Sequence, residues 1–367
     1  MVSEPRRLNY QIEHLLSAQD EASLYLGTER RASRDSRQVL IQCMPAPSRA
    51  PDKVPALLLR EHITTCALHH SSIAQILGGG QHGDHYFIVY EYLPGPDLEE
   101  LLGRVHLRGV RFPLDVALYI TSRLGEALNY AHSLSPRPKA AVDYHGSLSP
   151  DKVLLSIGGQ VRVRSFGAGP AELAYRCPEQ LKASAGSQHA DLFSLGSILF
   201  EILSGERPFD GASEHEMRES LANCQAPALG TLRSDVPEAL ERLVARCLAK
   251  KPENRYHTAK ELNCDLRALM SYRRVLDGSA ALRDFLTESF PERSSRRVPQ
   301  PAAEPQARPW QELGHHLSAR LVQLPRSMDP LRSNQIRLIR SQNHHEHDSK
   351  LRDPSLDSAA MEANLDG

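Results

Sequence analysis

The chain has 367 residues, 40% of them apolar and 24% charged, with 22 Gly and 25 Pro. That suits one large or two ordinary domains with a buried core and excludes a collagenous, fibrous or wholly disordered chain. Lys+Arg number 44 against 45 Asp+Glu, a net charge of −1, which favours neither a nucleic-acid coat nor a polybasic membrane anchor. No apolar run approaches the roughly 20 residues that span a bilayer, and MVSEPRRLNYQIEHLL has no apolar signal core. The cysteines at 43, 66, 177, 224, 247 and 264 stand singly, without a CxxC pair. They read as small buried hydrophobes, with no disulfide framework or Cys-ligated zinc. A reducing, cytoplasmic compartment is the expectation that follows.

Residues 8–45 hold three apolar or alternating runs, LNYQIEHLL, ASLYLGT and RQVLIQCM, separated by polar breaks, and predict short strands. A helix is expected over 54–69, with Leu57, Leu58, Ile63 and Leu68 in loose helical rhythm. ILGGGQHGDHYFIVYEYL predicts two strands around a Gly-rich turn, ending at the break Pro94-Gly95-Pro96. Beyond it the periodicity is helical. Val116, Ile120, Leu124, Leu128 and Ala131 form one stripe, and Leu192, Leu195, Leu199 and Ile202 a second, stopped at Ser204-Gly205. Leu240, Leu243, Val244, Cys247 and Leu248 form a third, closed by Lys250, Lys251 and Pro252. Thr258 and Glu261 are placed as a capping box before Leu262, Leu266 and Leu269. From about 288 Pro, Arg, Ser and Glu dominate, and residues 276–367 are expected to be a largely disordered tail. Within it, 331–340 (LRSNQIRLIR) is weakly amphipathic, and His344, His345 and His347 read as a solvated tract rather than a metal cluster.

Six short motifs then fall in a telling order. FIVYEYL at 87–93 is a strand leading into a connecting segment. YHGSLSPDKV at 144–153, Ser165-Phe166-Gly167, and Tyr175-Arg176-Cys177-Pro178-Glu179 follow. Asp191-Leu192-Phe193-Ser194-Leu195-Gly196 and Lys251-Pro252-Glu253-Asn254-Arg255 complete the set. Over about residues 8–270 this order resembles the protein kinase superfamily, and within it the bacterial Ser/Thr kinases of the eukaryotic type. The resemblance implies an α+β, two-lobed protein-kinase-like fold. Residues 8–93 would form a small β-rich N-lobe and 94–275 a larger helical C-lobe.

The resemblance also implies where catalytic groups would stand, and here the chain departs from the pattern. Phosphoryl transfer needs a phosphate cradle, a Lys, metal ligands and a carboxylate to accept the hydroxyl proton. The cradle turn, Leu16 to Tyr25, has Ser17, Gln19 and Ala22 at its glycine positions and adds the acids Asp20 and Glu21. Gln42 takes the place of the strand-three Lys, leaving its helix partner Glu61 to a surface position or a bond with Gln42. Ser147 holds the base position, Ser149 replaces the loop Lys, Lys152 replaces the metal-binding Asn, and Ser165 replaces the metal-binding Asp. A cation at a Mg²⁺ ligand position opposes the metal. Neither Asp143 nor Asp151 is expected to project into the cleft and restore a base. Only nine residues, 168–176, precede Cys177; none is Ser or Thr, and Gly146 replaces the Arg that would hold a phosphate there.

What the resemblance carries over intact is structural. His145, Phe166 and Gly167 pack the large lobe, Glu179 and Arg255 form its tying ion pair, and Asp191 receives backbone hydrogen bonds. Glu91 and Leu93 remain as vestiges of the nucleotide cleft. These residues imply a pseudokinase that acts as a scaffold or allosteric regulator, with ATP and Mg²⁺ binding absent or weak. Its expected partners are proteins, an active kinase or a signalling complex among them, with no nucleic acid and no membrane span. Two other functions compete with it: a Ser/Thr kinase with an atypical phosphoryl-transfer site, and a degenerate cleft that senses some other small molecule through Lys152.

Overall fold

The computed structural model describes residues 8–19, 22–30, 36–45, 56–82, 85–134, 143–169, 172–182, 186–294 and 317–319. The first three apolar runs are antiparallel strands β1 (Leu8–Gln19), β2 (Ala22–Arg30) and β3 (Ser36–Pro45). Helix α1 (Ala56–Cys66) follows, shorter than the expected 54–69, because residues 67 and 68 turn back on Thr64 and Thr65. Strands β4 (Ile76–His82) and β5 (His85–Glu91) complete the small lobe. The glycines of ILGGGQH lie within β4 and not in a turn. A Cβ on Gly79 would meet the Phe87 carbonyl oxygen at 2.9 Å, so the strand approaches β5 too closely for a larger residue.

Period-2 alternation splits β3 between two cores. Val39, Ile41 and Cys43 join Tyr10, Tyr25, Phe87 and Val89 on one face of the sheet. Leu40 joins Leu24, Tyr86, Ile88 and Tyr90 on the other, the face toward the large lobe. The chain crosses between lobes at Pro94-Gly95-Pro96. There a Cβ on Gly95 would lie 1.9 Å from the Leu155 carbonyl oxygen, and Pro94 and Pro96 carbonyls accept from Ile157 and Leu155 amides at 2.8 and 3.0 Å. Glycine at 95 is what lets this crossing lie against the large lobe.

The large lobe comprises α2 (Leu98–Arg108), α3 (Leu114–Ser133), the hairpin β6 (Val153–Leu155) and β7 (Val161–Val163), α4 (Gln188–Ser204), α5 (Glu214–Asn223), α6 (Leu229–Leu232), α7 (Glu238–Cys247) and α8 (Ala259–Tyr272). All three expected apolar stripes are buried. On α4 burial extends well beyond the stripe, because α3, α6 and α7 all pack against it. Thr258 caps α8 by accepting from the Glu261 amide at 3.2 Å. The return bond of the expected box goes instead to the His257 amide, at 3.0 Å.

The expected boundary at 275 is displaced. Helix α9 (Gly278–Ser289), capped by Asp277, and α10 (Pro291–Ser294) continue the large lobe. Leu282, Phe285, Leu286 and Phe290 enter its core because they recur at helical spacing. Strand β8 (Leu317–Ala319) then joins the small-lobe sheet, whose order is β4-β5-β3-β2-β1-β8. Residues 295–316 and 320–367, including 331–340 and the histidines at 344, 345 and 347, lie outside the described residues. Among the described residues no helix is long and apolar enough to cross a membrane.

Candidate functional site

The site is the cleft between β3, α1 and the loop 143–153. Its floor is shaped by backbone contacts. Asp191, buried at the start of α4, accepts from the His145 amide at 2.7 Å, the Gly146 amide at 2.8 Å and His132 Nε2 at 2.8 Å. His145 is fully buried, and burial pushes its pKa down to about 4, so the ring is neutral at physiological pH. It packs on Phe166 with ring centroids 4.5 Å apart, and its carbonyl accepts from the Gly167 amide at 2.9 Å. From α1, Arg60 Nε donates to the Gly167 carbonyl at 2.7 Å.

On this floor the predicted positions converge, but with chemistry that sequence reading did not anticipate. Arg164, one residue before Ser165, is buried inside the cleft. Its Nη1 donates to Gln42 Oε1 at 3.4 Å and to Ser165 Oγ at 3.3 Å. Its Nη2 donates to the Asp151 carbonyl at 3.1 Å and lies 3.5 Å from Asp151 Oδ2. Gln42 is therefore bridged across the lobes to Arg164 and is not paired with Glu61. Strand alternation supplied the signal: Arg162 and Arg164 alternate with the buried Val161 and Val163 and so share one face. Arg162 uses that face to pair with Glu91, whose Oε1 also accepts from the Gln75 amide at 2.8 Å.

Asp151 corrects a second expectation. It projects into the site and pairs with Lys152, Ser149 Oγ and Arg164. Although burial opposes ionisation, Lys152 and Arg164 hold its carboxyl below the ordinary range. Burial and the neighbouring Arg164 in turn lower the Lys152 ammonium pKa.

Glu61 is buried rather than at the helix surface, and it accepts a hydrogen bond from Tyr90 Oη. Burial raises its carboxyl pKa, against the lowering effect of Tyr90, Ser165 and the two cations. Ser147 is buried, and its hydroxyl contacts are long, 3.4 Å to the Ser165 carbonyl and 3.5 Å to His145 Nδ1. Ser165 keeps a left-handed backbone at φ 68°, a strained choice for serine.

Toward the crossing, the cleft is lined by apolar side chains. Leu24 and Leu40 from the sheet, Tyr90, Leu93 and Leu154 from β6 form one buried cluster that spans both lobes. At the turn, Ser17 is exposed, while Gln19 and Ala22 are register partners closing the β1–β2 hairpin; Asp20 and Glu21 lie outside the described residues. Asp143 stands apart from the site, accepting from Gln188 Nε2 at 3.0 Å.

The structural residues meet as expected. Arg255 donates from Nη1 to Glu179 Oε1 at 2.7 Å and from Nη2 to Oε2 at 2.9 Å. It also donates to the carbonyls of Ala249, His189 and Lys250, and lies over the Phe193 ring. Among the described residues, no three His, Cys, Asp or Glu side chains gather in a metal-holding group.

Comparison with known proteins agrees with this architecture. The protein kinase domain family signature matches residues 28–265. A tyrosine-protein kinase, MasK, of Myxococcus xanthus is 30% identical over 300 residues, 76% of this chain and 46% of that protein. The serine/threonine-protein kinase PrkC of Bacillus subtilis is 24% identical over 314 residues, 81% of this chain and 46% of that protein. A probable serine/threonine-protein kinase PknB of Lactococcus lactis is 29% identical over 246 residues, 63% of this chain and 37% of that protein. The chain thus spans less than half the length of these relatives.

Proposed function

The chain belongs to the protein kinase family, and from that premise we propose that it is a non-catalytic member, a pseudokinase that works by binding other proteins. One observation carries the reading: the phosphate-and-metal end of the cleft is already filled by the chain's own ions. Lys152 stands at a metal-ligand position and pairs with Asp151, while Arg164 joins Asp151 to Gln42 across the lobes. A Mg²⁺ ion would meet a buried ammonium and guanidinium where it needs oxygen ligands. The residues present therefore do not fit Mg²⁺-ATP. At the other end, Leu24, Leu40, Leu93 and Leu154 form one buried apolar cluster.

A domain so filled retains the rigid body of a kinase and presents its surfaces to partners, as a scaffold or as an allosteric regulator of an active kinase. A thermal-shift titration with Mg²⁺-ATP tests this. A ligand at 100 times its Kd stabilises the native state by about 2.7 kcal/mol; here no saturable shift is expected. A magnesium-dependent shift would reopen the cleft as a nucleotide site.

One observation favours the second reading, a Ser/Thr kinase with an atypical site: Asp151 keeps a carboxylate within the loop. Its ion pairs with Lys152 and Arg164 hold it as a weak base, which opposes that role. Phosphate incorporation from labelled ATP by the natural chain would decide for this reading.

A further inference from the structure

The small-lobe sheet has an unusual edge. Strand β8 pairs antiparallel with β1 through Leu8↔Ala319, Asn9↔Ser318 and Tyr10↔Leu317. It also lies against β4, although β4 is the opposite edge of the sheet. The sheet therefore rolls until β1 and β4 face one another, and one short strand fills the seam. The strand comes from beyond residue 265, where the family match ends. Its chain leaves the large lobe at α10, which Glu292 holds to α2 through Arg104 Nη2 at 2.7 Å.

We propose that the seam between β1 and β4 is a strand-docking site whose occupant is the chain's own segment 317–319, so that the region after the large lobe is tethered back onto the small lobe. An unpaired strand edge offers a row of N–H and C=O groups that any extended segment of suitable length can satisfy. The seam needs such cover, because Tyr10, opposite Leu317, is a member of the inner sheet core and is 1% exposed. The geometry also sets the length of the guest. β1 changes register between Ile12 and His14, and a bulge of this kind turns the edge away. Docking is thus confined to the first few residues of β1. Among the described residues the guest pairs through three positions, 317–319.

The test uses the full chain. In an antiparallel ladder alternate residues donate to a given neighbour, so Leu317→Pro and Ser318→Pro between them remove a bonded N–H, while Ser318→Ala keeps the backbone intact. Amide exchange over residues 8–12 should become about ten-fold faster in at least one proline variant and stay natural in Ser318→Ala. Exchange in α3 and α4 should not change, which checks that the variants remain folded. A synthetic peptide of residues 313–323 should restore protection to the proline variant and leave the natural chain unaffected. Unchanged exchange in both proline variants, or a peptide that restores nothing, would overturn the proposal. So would a dimeric natural chain whose protection of 8–12 is lost on dilution, since the strand would then belong to a second copy.

Discussion

The framework of the large lobe and the cleft bury their charges differently. Around Arg255 every donor has an acceptor of matched geometry: both Glu179 oxygens, three carbonyls and the face of Phe193. In the cleft the ions are crowded and mismatched. Lys152 and Arg164 share Asp151, Glu61 is satisfied by a tyrosine hydroxyl, and Arg164 Nε finds no partner among the described residues. The first arrangement ties one helical framework together, and the second sets unlike ions against one another where the two lobes meet.

The largest expected effect lies on the framework side. Arg255→Ala removes a fully buried guanidinium and leaves the partly exposed Glu179 carboxylate and three carbonyls without their donor. Loss of one partner of a buried pair costs about 3–5 kcal/mol, and the solvent access of Glu179 sets the expected loss at the lower end, measurable as a shift in the denaturant midpoint. A loss comparable to that of a surface substitution would erase the contrast between the two regions.

In the cleft, Glu61→Gln keeps the Tyr90 bond and removes the carboxylate. Because burial raises the Glu61 pKa, the folded state holds its proton at pH values where the unfolded chain has released it. Stability from this group is present below the unfolded pKa and is lost as pH rises through the folded one. The variant should therefore gain on the natural chain as pH rises from about 4.3, the ordinary Glu pKa, toward neutral. Unfolding midpoints compared across that range check the sign. A gain toward acid would mean that Lys152 and Arg164 hold Glu61 ionised, and that the cleft is as well matched as the framework.

Ser147→Ala should cost less than about 0.5 kcal/mol, since hydroxyl contacts at 3.4 and 3.5 Å contribute little. A large loss would show Ser147 to be part of the framework.

These contrasts were unevenly legible in the sequence. Helical stripes on α3, α4 and α7 and the Glu179–Arg255 pair could be read directly, because periodicity and motif order depend on few long-range choices. Gln42 was given no partner but Glu61, while Glu61 was expected at the helix surface or on Gln42 and Asp151 outside the cleft; the structure buries Glu61 and brings Asp151 into the site. Their partners come from Tyr90 and Arg164, and which side chains cross a cleft depends on how two lobes close. Arg164 was readable only from the alternation of VRVR, a local cue that matters once β7 is known to face the cleft. Helix α9 was missed because the polar composition around it masked the spacing of Leu282, Phe285 and Leu286.

The smallest expected effect is the most informative about the cleft. Combining Gln42→Lys, Ser147→Asp, Lys152→Asn and Ser165→Asp restores the clamp, the base and both metal ligands in name. No phosphate incorporation into a generic basic protein is nonetheless expected. Arg164 would still sit within reach of positions 42 and 165, now facing a lysine and a carboxylate, and would compete with any metal for the latter. The turn at 17–22 would still lack its glycines, and residues 168–176 would still be too few to shape a docking platform for a peptide. Groups that act as a preorganised unit do not return their rate when only some are restored. Adding Arg164→Leu to the quadruple variant separates the causes. Activity that appears only with this fifth change would locate the block in one buried guanidinium. Continued silence would place it in the turn and the shortened segment, and the departures from the kinase pattern would then act over the whole site.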